Sequence, residues 1–308
     1  MNQYFCFDIG ASFIKYGVLQ EDGNVLFQDK SPTNSHLGAD ELTGRLLKII
    51  EQMKIDYEAR YIAVATTGIV DTQAGSIMNG ISGMIDGYEG LPLKAFLEER
   101  TGLTTEVGND VNCFGLAENW MGGAKGYRNC VCITIGTGIG GALLIDGQVY
   151  YGSGNMAMEV GRMPIAPSTL EDLASVRALA YEYAKLCNIP AGDVDGLLVA
   201  KRERLGDPLA SKAFDIMCYY LAQGIAAIVS MLTPDVIVIG GAITNDWDII
   251  DSRLLGNLES ILDKALYKTL NIKYTQLGSI AGLIGSLRHH QMMTEKRNAP
   301  VWRGSCGV

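Results

Sequence analysis

FDIGASFIKYGVLQEDGNV, residues 7–25, and ITIGTGIGGALLIDGQV, residues 133–149, share one plan. Each leads from an apolar strand into Ile-Gly, then through a small-residue turn into a second strand, and leaves by Asp-Gly. An Asp-Gly pair between apolar strands is a strong hairpin signal. Two such hairpins, each opening a mixed β and α segment, point to a duplicated unit.

Working outward, the first hairpin reads as strands at 4–9, 13–19 and 24–29. A helix follows at 39–53, where Leu42, Leu46, Ile49, Ile50 and Met53 fall at helical spacing. A strand at 61–67, a helix at 93–100 stopped by Gly102, and a strand at 103–107 come next. The polar cluster Asn109-Asp110-Val111-Asn112 then precedes a helix-like stretch at 113–120. In the second half a strand at 130–135 enters a glycine-rich turn and leaves it as a strand at 142–145. A long apolar helix spans 208–232, with Asp207 as N-cap and Pro208 in its first turn. Thr233-Pro234 stops it before a buried-type strand at 236–239. No low-complexity linker interrupts the chain.

The chain of 308 residues is long enough for two domains. Its 48% hydrophobic and 19% charged residues are ordinary for a folded protein. With 25 Lys+Arg against 34 Asp+Glu the net charge is -9, which argues against binding nucleic acid or a membrane through a broad basic surface. Seven cysteines, none in a C-x-x-C pair, read as buried thiols in a reducing compartment. No signal peptide and no apolar run near bilayer length is apparent, so a soluble, cytoplasmic protein is expected. Glycine, at 37 residues against 8 prolines, exceeds what loops need.

Three glycine sites give that excess an address. In Asp8-Ile9-Gly10-Ala11-Ser12-Phe13-Ile14-Lys15 an acid at a strand end can hold a metal ion through water. Amides near Gly10 and Ser12, with the Ser12 hydroxyl and Lys15, can face phosphate oxygens; the plain alternative is an ordinary hairpin. Gly136-Thr137-Gly138-Ile139-Gly140-Gly141 is sharper, because glycines directly after a buried strand let amides form an anion nest, to which Thr137 adds a hydroxyl. A strand follows where a dinucleotide fold needs a helix, and no Gly-Lys-Ser/Thr follows either. Gly240-Gly241, with 281–285 beyond it, can lie against a flat base and ribose or serve close packing.

Together these motifs, with Glu159-Val160-Gly161, resemble the ROK family of sugar kinases and regulators within the actin-like ATPases, over residues 4 to about 287. The resemblance implies an α/β fold of two RNase H-like lobes, 1–117 plus 282–308 and 118–281, with the active site in the cleft between them. It implies a sugar and ATP with Mg²⁺ as ligands, and a homodimer. By position Asp110 resembles the catalytic base, and Asn109, Glu159 and Glu171 resemble sugar-binding residues. Asp8, Gly10, Ser12 and Lys15 would face phosphate, with Asp8 near the metal; Gly136, Thr137 and Gly138 would face the β- and γ-phosphates; and Gly240 and Gly241 would face adenosine. Read without the family, Asn109-Asp110 is a helix N-cap.

Departures narrow the resemblance. Most of that family has histidine where Arg162 stands, followed by a zinc loop rich in cysteine. Arginine offers no lone pair to a metal, and 163–169 contains no cysteine, so no zinc is expected. Gly108 stands where the family has glutamate, and Ser12 where it has threonine. β-Glucoside kinases and proteins assigned to N-acetylmannosamine or glucose share such zinc-free loops. The expected reaction is phosphoryl transfer from ATP to a sugar hydroxyl, most often the 6-hydroxyl. The rivals are a non-catalytic sugar sensor and a regulator; regulators carry a helix-turn-helix before the first phosphate loop, which here begins at residue 8. His289-His290 reads as a solvated pair, Met292-Met293 as packing or a frayed end, and 295–308 as an aperiodic tail.

Overall fold

Asp8 on β1 (Gln3–Ile9) stands opposite Lys15 on β2 (Phe13–Gln20), in an antiparallel pair that begins a five-stranded sheet. The computed structural model describes residues 1–79 and 85–298. Trp302, Cys306 and part of the 79–90 loop lie outside the described residues. β3 (Val25–Pro32) pairs with β2, and α1 (Gly38–Asp56) crosses to β4 (Tyr61–Thr66), which lies parallel to β1. A small hairpin of β5 (Ile69–Asp71) and β6 (Ser76–Asn79) precedes α2 (Leu93–Thr101). β7 (Thr104–Asn109) then joins parallel to β4, giving the order β3-β2-β1-β4-β7.

Local chemistry explains these bounds. α1 buries Leu42, Leu46, Ile49, Ile50 and Met53, the helical stripe read from sequence, against Phe5, Phe7, Ile62 and Val64 of the sheet. Each such side chain contributes roughly 1.5–3 kcal/mol on full burial. α2 stops because Gly102 takes a left-handed φ of 68° while its amide bonds Glu98 O. α3 (Asp110–Met121) starts directly at the end of β7.

The second sheet repeats the plan. β8 (Cys130–Ile135), β9 (Ile139–Ile145) and β10 (Gln148–Val149) form an antiparallel meander. Asp146 and Gly147 both have positive φ, as a type I′ turn requires. A hairpin of β11 (Pro164–Ile165) and β12 (Ser168–Thr169) leads to α4 (Leu170–Ala174), α5 (Val176–Cys187) and α6 (Gly196–Arg204). α7 (Pro208–Leu232) starts where Asp207 accepts the amides of Leu209 and Ala210. β13 (Val236–Gly240), α8 (Trp247–Ile261), α9 (Lys264–Thr269) and β14 (Ile272–Tyr274) complete the order β10-β9-β8-β13-β14, with β13 parallel to both neighbours. Finally α10 (Ala281–Asn298) packs on β1, β4 and β7 of the first sheet. The chain divides into two compact units, Met1–Cys113 with the residues from Ile280 onward, and Phe114–Ser279.

Four expectations change. β9 begins at Ile139, so Gly140 and Gly141 sit in the ladder opposite Thr134 and Ile133 and leave a turn of only 136–138. Gly141 is needed there because Met158 O and Val160 occupy the space of a side chain. α7 is 25 residues long and, by length and composition, apolar enough to cross a membrane, although its apolar residues do not run uninterrupted. Within its unit it is the core helix, burying Phe214, Met217, Leu221 and Ile225. His289 and His290 are buried rather than solvated, at 1% exposure each, because α10 continues through them against β7. Residues 295–298 continue that helix, and Arg297 pairs with the buried Glu106.

Of the cysteines, Cys6, Cys113, Cys130, Cys132 and Cys218 are buried thiols and Cys187 is half-buried.

Candidate functional site

The first unit gathers the acidic residues. Asp8 projects from β1 and its Oδ2 accepts from Lys15 Nζ at 2.9 Å, so the two residues expected to face phosphate and metal are paired with each other. The Gly10 amide closes the hairpin onto Phe13 O at 3.0 Å and is therefore not directed at a ligand. The Gly10 carbonyl accepts from Thr33 Oγ1, while Ser12 remains exposed.

At the end of β7, Asn109 does cap α3. Its Oδ1 accepts from the Asn112 amide at 2.9 Å. Its Nδ2 donates to Gly68 O at 3.0 Å and to Asp110 Oδ1 at 3.1 Å. Asp110 Oδ1 also accepts from the Val111 amide at 2.9 Å. Beyond capping, Asn109 spends both amide hydrogens on holding the backbone and the carboxylate beside it.

Behind these groups lies a layer that the motif reading did not foresee. Tyr88 is buried with its hydroxyl on that of Thr66, and its pKa is raised, mainly by burial with Asp110 adding to the shift. The buried Cys113 thiol is likewise pushed up by burial first, then by Asp110 and Asp8. A side chain at Gly108 would come within 2.9 Å of His289 Cδ2 and 3.0 Å of Cys113 Sγ. Gly108 therefore makes room for a ring inserted from α10. His289 donates from Nε2 to Val107 O at 3.2 Å, since a carbonyl can only accept, and burial pushes its pKa down to about 4. The spacing of the C-terminal helix carried a weak signal for this, because His289 falls on the same side as Gly282 and Gly285.

The second unit gathers the glycine turn and the two glutamates. Gly136 O accepts from the Val176 amide at 2.9 Å, which ties the turn to the start of α5. Thr137 is exposed, and no acceptor among the described residues takes its amide. Glu171, in the first turn of α4, accepts from the Ile139 amide at 2.9 Å through Oε2 and pairs with Arg177 at 3.4 Å through Oε1. Gly138 allows this: a Cβ there would lie 2.5 Å from Glu171 Oε2. Gly161 packs against Ile139 O, so Glu159-Val160-Gly161 abuts the same strand. Glu159 and Arg162, both exposed, approach to 3.5 Å.

Four further glycines make close contacts where a side chain would stand. Gly240 is buried under the Phe114 ring, and Gly241 takes a φ of 89° against the Ile135 backbone. Gly282 meets Asp8, and Gly285 meets the Cys113 carbonyl. Of the residues expected to touch nucleotide, the structure leaves Ser12, Thr137 and Gly241 exposed.

Residues 4–291 match the ROK family. A β-glucoside kinase of Klebsiella pneumoniae is 32% identical over 297 residues, covering 93% of this chain and 95% of its own. A glucokinase of Streptomyces coelicolor is 28% identical over 304 residues, covering 91% and 94%. Among solved structures, a proposed N-acetylmannosamine kinase of Listeria monocytogenes has a TM-score of 0.84 at 26% identity, covering 95% of this chain and 99% of that one.

Proposed function

The chain belongs to the ROK family, and we propose that it transfers the γ-phosphoryl group of ATP to a sugar hydroxyl, the 6-hydroxyl of a hexose, an N-acetylhexosamine or a β-glucoside. One observation carries this reading: a carboxylate, Asp110, held at 2.9 Å by a helix-terminal amide and at 3.1 Å by Asn109 at the end of β7. A carboxylate so fixed can accept the proton of an acceptor hydroxyl as that oxygen attacks phosphorus and ADP leaves.

The other residues fit supporting roles. The turn of Gly136, Thr137 and Gly138 offers an amide and a hydroxyl to phosphate oxygens. Glu159 and Glu171 accept hydrogen bonds from sugar hydroxyls, and the exposed Gly241 gives adenosine a flat backbone edge, with Gly240 supporting it. Magnesium with few protein ligands is held by one or two carboxylates and the phosphates themselves. Asp8 fits that donor set, because Lys15 occupies only its Oδ2. When bound, the ion neutralises charge on the phosphate oxygens. A homodimer in the cytoplasm belongs to the same proposal; light scattering of the purified chain tests its first part.

A coupled assay of ATP consumption across hexoses, N-acetylhexosamines and β-glucosides tests the reaction. Turnover with at least one of them is expected; none with any would overturn the kinase reading in favour of a sugar sensor.

A further inference from the structure

Gly282, Gly285 and His289 share one face of α10, at helical spacing of three and four residues. Each meets a different part of the acidic half-site of the first unit. A Cβ on Gly282 would overlap the carboxylate and Cβ of Asp8. A Cβ on Gly285 would overlap the carbonyl of Cys113, in the first turns of the helix that Asp110 begins. The His289 ring packs on Gly108 and bonds Val107 O, in the strand that ends at Asn109.

We infer that this face of α10 is a positioning surface: Gly282 sets where the Asp8 carboxylate rests, and His289 sets where β7 delivers Asn109 and Asp110. The inference deepens the kinase reading and rests on it. None of the three residues touches substrate; they act through Asp8 and Asp110. The two glycines bring the helix backbone against these groups, where any side chain would move them. His289 fills the volume left by Gly108 and donates to the Val107 carbonyl. Dense packing transmits such displacements, and a misplacement of about 1 Å can cost roughly 10²-fold in rate.

Gly282→Ala and His289→Ala separate the two arms. With the sugar that the wild type turns over, Gly282→Ala is expected to raise KM for MgATP at least about tenfold, with sugar affinity, measured by calorimetry without nucleotide, within about twofold of wild type. His289→Ala is expected to lower kcat at least about tenfold with both KM values little changed. Gly44→Ala is the control, because a Cβ there meets nothing within 4 Å; its kinetics should match wild type. A purely structural role would lower the thermal midpoint and leave the kinetics of the folded fraction unchanged, and that result in both variants overturns the inference. If Gly282→Ala does not fold, the kcat of His289→Ala decides alone. Should the wild type turn over no sugar, the kinase reading has failed, and calorimetric titration of MgATP into wild type and Gly282→Ala still reads whether residue 282 governs the Asp8 end.

Discussion

The carboxylate of Glu171 accepts the amide proton of Ile139 at 2.9 Å, so a residue expected to bind sugar is bonded to the strand leaving the glycine turn. Its second oxygen faces Arg177 at 3.4 Å. One side chain thus links the strand after the glycine turn to the first turn of α5.

Glu171→Gln keeps an oxygen for the Ile139 amide, whereas Glu171→Ala leaves that amide without it. Glu171→Ala should therefore weaken both substrates, MgATP as well as sugar, by about tenfold or more, roughly the value of a hydrogen bond to a charged group. Glu171→Gln should impair sugar more than MgATP. Paired KM values for the two substrates check the difference.

Asp110→Asn retains the shape of the side chain and its bond from the Val111 amide, but cannot take a proton. Turnover should fall by about 10²–10⁴-fold, the usual worth of a general base. Sugar binding measured by calorimetry should persist. Unchanged kcat would remove Asp110 from that role.

Asn109 supplies a cap and a clamp, and the two can be separated. Asn109→Ser keeps a hydroxyl to cap the Asn112 amide but loses the bonds to Gly68 O and Asp110. Its thermal midpoint should stay near wild type while kcat falls. Asn109→Ala should lose both, with an added stability cost of about 1 kcal/mol, read by chemical denaturation.

Acid should destabilise the first unit through its buried histidines. Burial holds His289 near 4 and moves His290 below its ordinary value of 6.5, while Glu106 opposes the shift and Lys296, Lys94 and Arg297 reinforce it. Between pH 6.5 and 4 the unfolded chain binds protons that the folded chain refuses, so stability is present above about pH 6.5 and is lost as pH falls towards 4. Denaturation midpoints at pH 7.5, 6 and 5 should trace this decline, and His289→Gln should flatten it.

Much of this ROK-family sugar kinase could be read from sequence because the deciding signals were local. The two Asp-Gly hairpins, the stripe Leu42 to Met53, the Asp207-Pro208 start of α7 and the Gly102 stop depend on residues a few positions apart, and each forms in place. The repeated strand order followed from the repeated hairpin. The cap at Asn109 was a local question too, and its bond from the Asn112 amide forms as the sequence suggested.

What only the tertiary structure decided is the use made of residues far apart in the chain. Gly240, Gly282 and Gly285 have no side chain to announce their neighbours, and Phe114, Asp8 and Cys113 lie where one would stand. His289-His290 lacked apolar periodicity of its own, so its burial depended on carbonyls of β7, 182 and 186 residues away. Local pattern determines which elements form and where they turn; which faces meet is decided by packing between elements that the chain brings together only when folded.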